Sequence, residues 1–389
     1  MRFVNFFLIS FILCLWLLIP VSVNDYLSIA LYGIPIRFNI IASSVACLIL
    51  LLLLLKRHLS LDRFDIVYIV FVLYVGLVGL FKLIVLDNVY IVYFIYDILT
   101  LIMPWIIYKA IKQMPINDQY LIIIVFASIC CVVVFEVLLF GIYFGIDNWG
   151  NSTSDRAYST VGAATSTSLL LLTGFSCSII LYFRNRQKFF LFTSMLYLIG
   201  MLILQTRSSL ILCSIIFFIL SIRYKCVKVA FLLFILCCII YTVNNNIFDN
   251  IYLRFFTDNS LNSDELRREY IINGLHKFSD NYLLGTGLGL GIHSILNIQH
   301  GMIDSPHNQY ISLLAETGIL GCFLYYASVC CFVRNILHKK CFDMLSVLVI
   351  LIFFGGCFEV LLYKDIRHVL VMWMPLIMSN FIIKSEKNE

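Results

Sequence analysis

Four groups of residues in this chain have the types and spacing to do chemistry. The first is Asp304-Ser-Pro-His-Asn-Gln-Tyr310, where a polar loop runs into an apolar helix. Ser305 reads as the N-cap and Pro306 as the first helical residue, where a missing N–H costs nothing. His307 and Asn308 then fall in the first turn, whose unpaired N–H groups and positive dipole end suit an anion. The same dipole disfavours an imidazolium, so His307 is expected to be neutral and able to accept a proton. The second group is Arg207, in Gln-Thr-Arg-Ser-Ser at the edge of an apolar run. It either snorkels to the interface or grips phosphate oxygens in a bidentate fork. The third is the pair Arg267 and Arg268 on a predicted helix, 263–278, capped by Ser263. Adjacent helical residues point about 100° apart, so no more than one of the two is expected to reach a ligand, and a solvated charged face is the alternative for each. The fourth is Gly285-Thr-Gly-Leu-Gly-Leu-Gly291, in which Gly285, Gly287 and Gly289 let backbone approach a neighbour closely. It reads as an anion nest or as a tight turn against the membrane. No clear strand precedes it, so it is a poor nucleotide fingerprint.

Other polar residues carry less. His293, His300 and Asp304 do not have zinc-ligand spacing, and no cysteine accompanies them. Asp97, Glu136, Glu316 and Glu359 lie within apolar runs, where a carboxylate is a functional candidate by default. Glu316 is nine residues from His307, which on a helix turns the two to nearly opposite faces and favours a structural role for Glu316. Ala315, Gly318 and Gly321 recur every three residues and are expected to admit a neighbouring helix.

The elements that hold these residues are membrane spans. The 389 residues are 62% hydrophobic and 13% charged, which excludes a soluble domain. Apolar runs recur to the end, and twelve are counted. They are roughly 3–23, 38–55, 66–86, 90–108, 120–146, 161–183, 189–205, 209–222, 229–243, 309–333, 342–363 and 368–383. The first run lacks a small-x-small cleavage site and reads as an uncleaved span. The basic residues fall on one side: Arg2, Lys56, Arg57, Arg63, Lys109, Lys112, Arg184, Arg186, Lys188, Arg223, Lys225, Lys228, Arg334, Lys339, Lys340, Lys384 and Lys387. These are 17 of the 27 Lys and Arg, which makes that side cytoplasmic with both termini inside. The net charge of +5 thus reflects topology rather than nucleic-acid binding. Most of the 14 cysteines lie in apolar runs and none in the long polar loop, so no disulfide framework is expected. That loop, 244–306, is the longest connection on the other side and leads straight into His307. Long loops in compact proteins are usually functional. The fold class expected is an all-α, polytopic single membrane domain over 1–389, with the 244–306 loop over its mouth on the side away from the cytoplasm.

His307-Asn308-x-Tyr310-x-x-Leu313, followed by Glu316-x-Gly318-x-x-Gly321, resembles the signature of the O-antigen polymerase and O-antigen ligase family. Arg207 before two serines, and Arg268-Glu-Tyr-Ile-Ile-Asn-Gly274 with Asp280 to Gly289, resemble its upstream segments. The close matches cover Arg207 and 268–321, and the rest of the likeness is topological. The resemblance implies a membrane glycosyltransferase with an undecaprenyl-pyrophosphate-linked oligosaccharide as donor and no metal or other cofactor. It implies a pyrophosphate held by Arg207 and Arg268, and His307 as the base. Arg267, Gly285, Gly287, Gly289, Asn308, Tyr310 and Glu316 are then expected to support the substrate loop or the motif. The setting implied is the bacterial inner membrane, with the site facing the periplasm and a flippase and chain-length regulator as partners. A lipid-linked acceptor makes such an enzyme a polymerase, and a lipid A–core acceptor makes it a ligase. The polymerase is the expectation carried forward. A flippase is disfavoured because the two halves show no matching Gly/Pro-interrupted spans and the polar features gather at one face.

Overall fold

The computed structural model describes residues 2–19, 29–31, 34–36, 38–56, 59–84, 90–144, 164–225, 261–289, 308–338, 347, 351, 354–357 and 366–385. Eleven α-helices occur among them: α1 Arg2–Leu17, α2 Phe38–Leu55, α3 Arg63–Leu83, α4 Tyr90–Gln113, α5 Ile116–Phe144, α6 Ala164–Asn185, α7 Lys188–Leu204, α8 Arg207–Tyr224, α9 Leu261–Asp280, α10 Gln309–His338 and α11 Ile366–Ser385. Seven are long and apolar enough to cross a bilayer, and α1, α7 and part of α11 are shorter apolar helices. The fold is an all-α, multi-pass membrane bundle, as the composition requires. Of the twelve expected spans, 229–243 lies outside the described residues and 342–363 is described only at 347, 351 and 354–357. A small antiparallel hairpin, Ile29–Leu31 with Ile34–Ile36, was not expected; it pairs Ile29 with Ile36 between α1 and α2.

Helix α6 is enclosed along most of its length, packed against α5, α7, α8 and α11. Its many hydroxyls are compatible with that burial because they bond back to carbonyls one turn earlier, as Thr173 Oγ1 does to Leu169 O (3.0 Å) and Ser176 Oγ to Leu172 O (2.7 Å). An aromatic cluster, Phe64, Tyr68, Tyr108, Phe332 and Trp373, ties α3, α4, α10 and α11 together.

Contacts along the helices fix their directions. Phe64 meets Phe332, Phe71 meets Tyr325, and Tyr74 meets Thr317, so α3 and α10 are antiparallel and the start of α10 lies beside the Leu83 end of α3. The Arg63 end of α3 is bonded to Lys109 and Lys112 near the end of α4, and α5 starts beside them. Phe190 of α7 packs on Tyr120 of α5, and Tyr197 bonds Ala127 O (2.6 Å) further along, so α7 runs parallel to α5, away from the lysines. Arg207 therefore emerges at the same end of the bundle as the start of α10.

The lysine end holds a departure from the sequence reading. Lys109 does not sit in a loop. Helix α4 continues to Gln113, and Lys109 is 1% exposed, with its Nζ 2.6 Å from Asp65 Oδ2 and 2.7 Å from Ser60 O. Trp105 Nε1 donates to the other Asp65 oxygen at 3.1 Å. Asp65 is thus a fully buried carboxylate that the sequence reading missed. The signal was present: Asp62-x-x-Asp65 ahead of an apolar run is a capping-box spacing. Asp62 caps Asp65 N (3.0 Å), Asp65 Oδ2 accepts from Asp62 N (2.8 Å), and Lys112 closes on Asp62 at 2.5 Å. Partial burial alone would raise the Asp62 pKa. The bond and charge of Lys112 and the Asp65 N–H outweigh it and hold the carboxyl at about 2.

Candidate functional site

Helix α10 begins one turn later than the sequence suggested. Asn308, not Ser305, is the N-cap: its Oδ1 accepts from Tyr310 N (3.0 Å) and Ile311 N (3.1 Å), and Ser312 N bonds its carbonyl (3.0 Å). Two of the orphan donors at this terminus are therefore engaged within the chain, so the first turn is not the open anion site expected. Asn308 Nδ2 reaches Cys357 O at 3.4 Å, in the 3-10 turn Gly355–Cys357. Gln309 is buried and donates to the Tyr325 hydroxyl at 3.1 Å, and Tyr310 stacks on Tyr326. These contacts fix the cap that immediately follows His307 in sequence. Ser305, Pro306, His307, His293, His300 and Asp304 lie outside the described residues.

Further along, α10 is not continuous. Gly318 has φ 65° and ψ −174°, so the helix breaks there, while the other two small residues do meet neighbouring helices, Gly321 close to the Tyr74 ring of α3 and Ala315 against Tyr270 of α9. The loop that follows α9 fills the break. Thr286 N and Oγ1 donate to Ala315 O (2.9 and 3.1 Å), and Gly287 N donates to Glu316 O (2.9 Å). In return Ile319 N bonds Tyr282 O (2.9 Å) and Leu320 N bonds Leu283 O (3.5 Å). Tyr74 Oη of α3 donates to Thr317 O at 3.0 Å. Each of these three carbonyls would have accepted from the residue four further on in an unbroken helix. The interruption is thus satisfied group by group, which backbone at membrane depth requires. Tyr74 is nine residues before the end of α3 at Leu83, or about 14 Å down the helix, so the loop reaches well into the bundle.

This geometry also resolves the glycine run. Gly285, Gly287 and Gly289 all have positive φ, at 73°, 100° and 72°. They serve a turn pressed against α10, and the Thr286 and Gly287 N–H groups that an anion nest would need are bonded to α10 carbonyls. Lys82 Nζ holds the start of the turn through Asn281 Oδ1 (3.1 Å). Tyr74 and Lys82 were not singled out by sequence reasoning, and no local pattern marks them; Asn281 lies within the Asp280–Gly289 segment that carries the resemblance. Glu316 is fully buried on α10, two residues before the break.

Helix α9 covers Leu261–Asp280, so Ser263 lies inside it and is not its cap. It packs on α10, with Tyr270 against Ala315. Arg267 is half-buried and Arg268 exposed, which separates the neighbours as their 100° offset predicts. Arg207 is the first residue of α8, after Gln205 in a left-handed conformation (φ 49°, ψ 38°) and Thr206 as the extended N-cap. The Thr206 hydroxyl bonds Ser168 on α6, which anchors this joint to the core. Arg207 is half-buried, and its guanidinium adds to the positive end of the α8 dipole.

Arg207, the Arg-bearing helix α9 and the Asn308 cap are therefore at one end of the bundle, opposite the Asp65–Lys109 pair. Residues 192–326 match the family model described as O-antigen ligase, a stretch that includes Arg207, Arg267, Arg268, the glycine turn, His307, Asn308, Tyr310 and Glu316. A comparison with curated proteins finds no match. The chain is a multi-pass membrane protein in which residues 192–326, about a third of its length, are similar to this family.

Proposed function

We propose that this protein is an O-antigen polymerase, transferring a glycan from undecaprenyl pyrophosphate to a hydroxyl of a lipid-linked repeat at the periplasmic face of the inner membrane. The observation that carries the reading is the gathering of Arg207, α9 and the Asn308 cap at one bundle end, all within the matched stretch. The acceptor hydroxyl attacks the anomeric carbon as the bond from that carbon to the pyrophosphate oxygen breaks. Its proton passes to His307, and undecaprenyl pyrophosphate leaves with the bond's electrons. Arg207 and Arg268 oppose the charge that develops on the leaving group, where a guanidinium fork fits phosphate oxygens better than an ammonium does. Arg207 at the first position of α8 and the positive end of that helix dipole both favour an anionic ligand there. The step as written needs no metal. A chain-length regulator and a flippase are the partners such an activity calls for.

The ligase reading has one observation in its favour, the description of the matched family. Gene deletion followed by lipopolysaccharide gels separates the two. Loss of a polymerase leaves core carrying one repeat. Bare core, with long chains still on the carrier lipid, would overturn the polymerase in favour of the ligase.

A further inference from the structure

Five backbone groups flank the break in α10. Four are met by the backbone of the turn at residues 282–287, and the fifth, Thr317 O, by the hydroxyl of Tyr74 on α3. The same hydroxyl lies 3.5 Å from Leu283 O, so it stands where the turn, the break and a separate membrane helix meet. Two helical turns further along α3, Lys82 bonds Asn281 at the mouth of the same turn. The turn is the direct continuation of α9, which ends at Asp280 and carries Arg267 and Arg268. The break lies in the helix capped by Asn308.

We propose that Tyr74 is a positioning residue for glycan transfer: by holding the turn in the break of α10, it sets α9 and its arginines relative to the helix that Asn308 caps. The role rests on the function proposed above. Tyr74 touches neither donor nor acceptor and acts through backbone alone. Without its hydroxyl, Thr317 O loses its bond to α3, and a carbonyl short of that donor favours a shift of the turn that lets another donor in. The register between α9 and α10 then loosens while the rest of the bundle keeps its packing.

A matched control exists on the same helix. Tyr68 is fully buried where Tyr74 is half-buried, and its hydroxyl likewise donates to a carbonyl, Leu101 O at 3.0 Å, but on α4 rather than at the break. Tyr74→Phe and Tyr68→Phe therefore remove the same chemical group from α3 at two addresses. The test is hydrogen exchange on the full-length protein in lipid nanodiscs, together with kinetics on an undecaprenyl-pyrophosphate-linked repeat.

Tyr74→Phe should speed exchange in peptides covering 282–287 and 319–320, and lower kcat/KM for the donor about tenfold, the scale of one lost hydrogen bond. Tyr68→Phe should leave both readouts as in the wild type, even where it lowers thermal stability equally. Unchanged exchange in Tyr74→Phe overturns the proposal. So does raised exchange with unchanged kcat/KM, and so do equal kinetic losses in the two variants, which would mark a merely structural effect. A wild type inactive on this donor under conditions where its exchange pattern is intact would sink the proposed function, and this role with it.

Discussion

Gly285 and Gly318 approach each other more closely than any side chain permits. A Cβ built on Gly285 would lie 2.5 Å from Gly318 N, and one built on Gly318 would lie 2.6 Å from Gly285 N. Both have φ near +70°, a region that L-residues other than Asn and Asp rarely enter. The obstacles are backbone atoms, so no rotamer change relieves them. Two glycines 33 residues apart thus form one joint between a loop and a membrane helix.

Alanine at either position should undo that joint. We expect Gly285→Ala and Gly318→Ala each to cost about 2–4 kcal/mol, from left-handed strain and the forced separation of bonded backbones. Gly76→Ala on α3 is the control, since nothing lies within 4 Å of its Cβ. It should be neutral or stabilise the helix by a few tenths of a kcal/mol. Thermal unfolding in detergent, followed by turnover at a permissive temperature, checks all three.

Substitutions at Arg207 and His307 should differ in kind. Arg207→Ala should weaken donor binding and slow the reaction, and Arg207→Lys should restore part of both, keeping charge but losing the fork. His307→Ala should spare donor binding and cut turnover by about 10²–10⁴-fold. Protein levels must be matched first, because a half-buried Arg at a helix start also bears on insertion. Full activity in His307→Ala would remove it as the base and turn attention to Glu316.

The pair at the other end should matter for stability and not for chemistry. Lys109→Met leaves the Asp65 carboxyl fully buried and without its cation, a loss of about 3–5 kcal/mol. Lys109→Met combined with Asp65→Leu should recover much of it, since neither charge then remains. Expression level and unfolding temperature report the difference, with turnover per folded molecule unchanged.

Asp62 supplies an acid-sensitive increment. Its folded pKa, about 2, is below the value of about 4 for an unfolded Asp. Its stabilisation is therefore complete above pH 4 and disappears as pH falls from about 4 to 2. The difference in unfolding temperature between wild type and Asp62→Asn should close over that interval. The carboxylate is 34% exposed, so the whole effect is small.

Sidedness is open to labelling. Single cysteines at Asn262 and Lys387 in a background without other accessible thiols should react from opposite faces, Asn262 from the periplasm. Reaction of both from one face would refute the arrangement.

Much of this molecule is legible in its sequence because lipid imposes simple rules. Apolar runs of span length become helices, and the Lys and Arg between them mark one side. The positions of Arg207, and of Arg267 and Arg268 on a helix before the glycine turn, follow from local patterns of the same kind. What was illegible depends on partners distant in sequence. Gly318 looks like one member of a helix-packing stripe until the turn at 282–287 is seen bonded across it. Lys109 looks like a cytoplasmic loop charge until Asp65, 44 residues earlier, is found beside it. Asn308 captures the cap from Ser305 because its carboxamide oxygen accepts two N–H groups at once, and no propensity ranks Asn and Ser far enough apart to foresee that.

The joint between Gly285 and Gly318 also bears on how such proteins can be recombined. Outer loops invite exchange between relatives as a route to new sugar specificity, because they look like insertions between fixed spans. Here residues 281–289 are stitched into a membrane helix, and their fit depends on which backbone atoms residues 315–320 present. A chimaera cut on either side of the loop alone would bring together halves with mismatched registers. The two stretches form a single cassette and would have to be transplanted together.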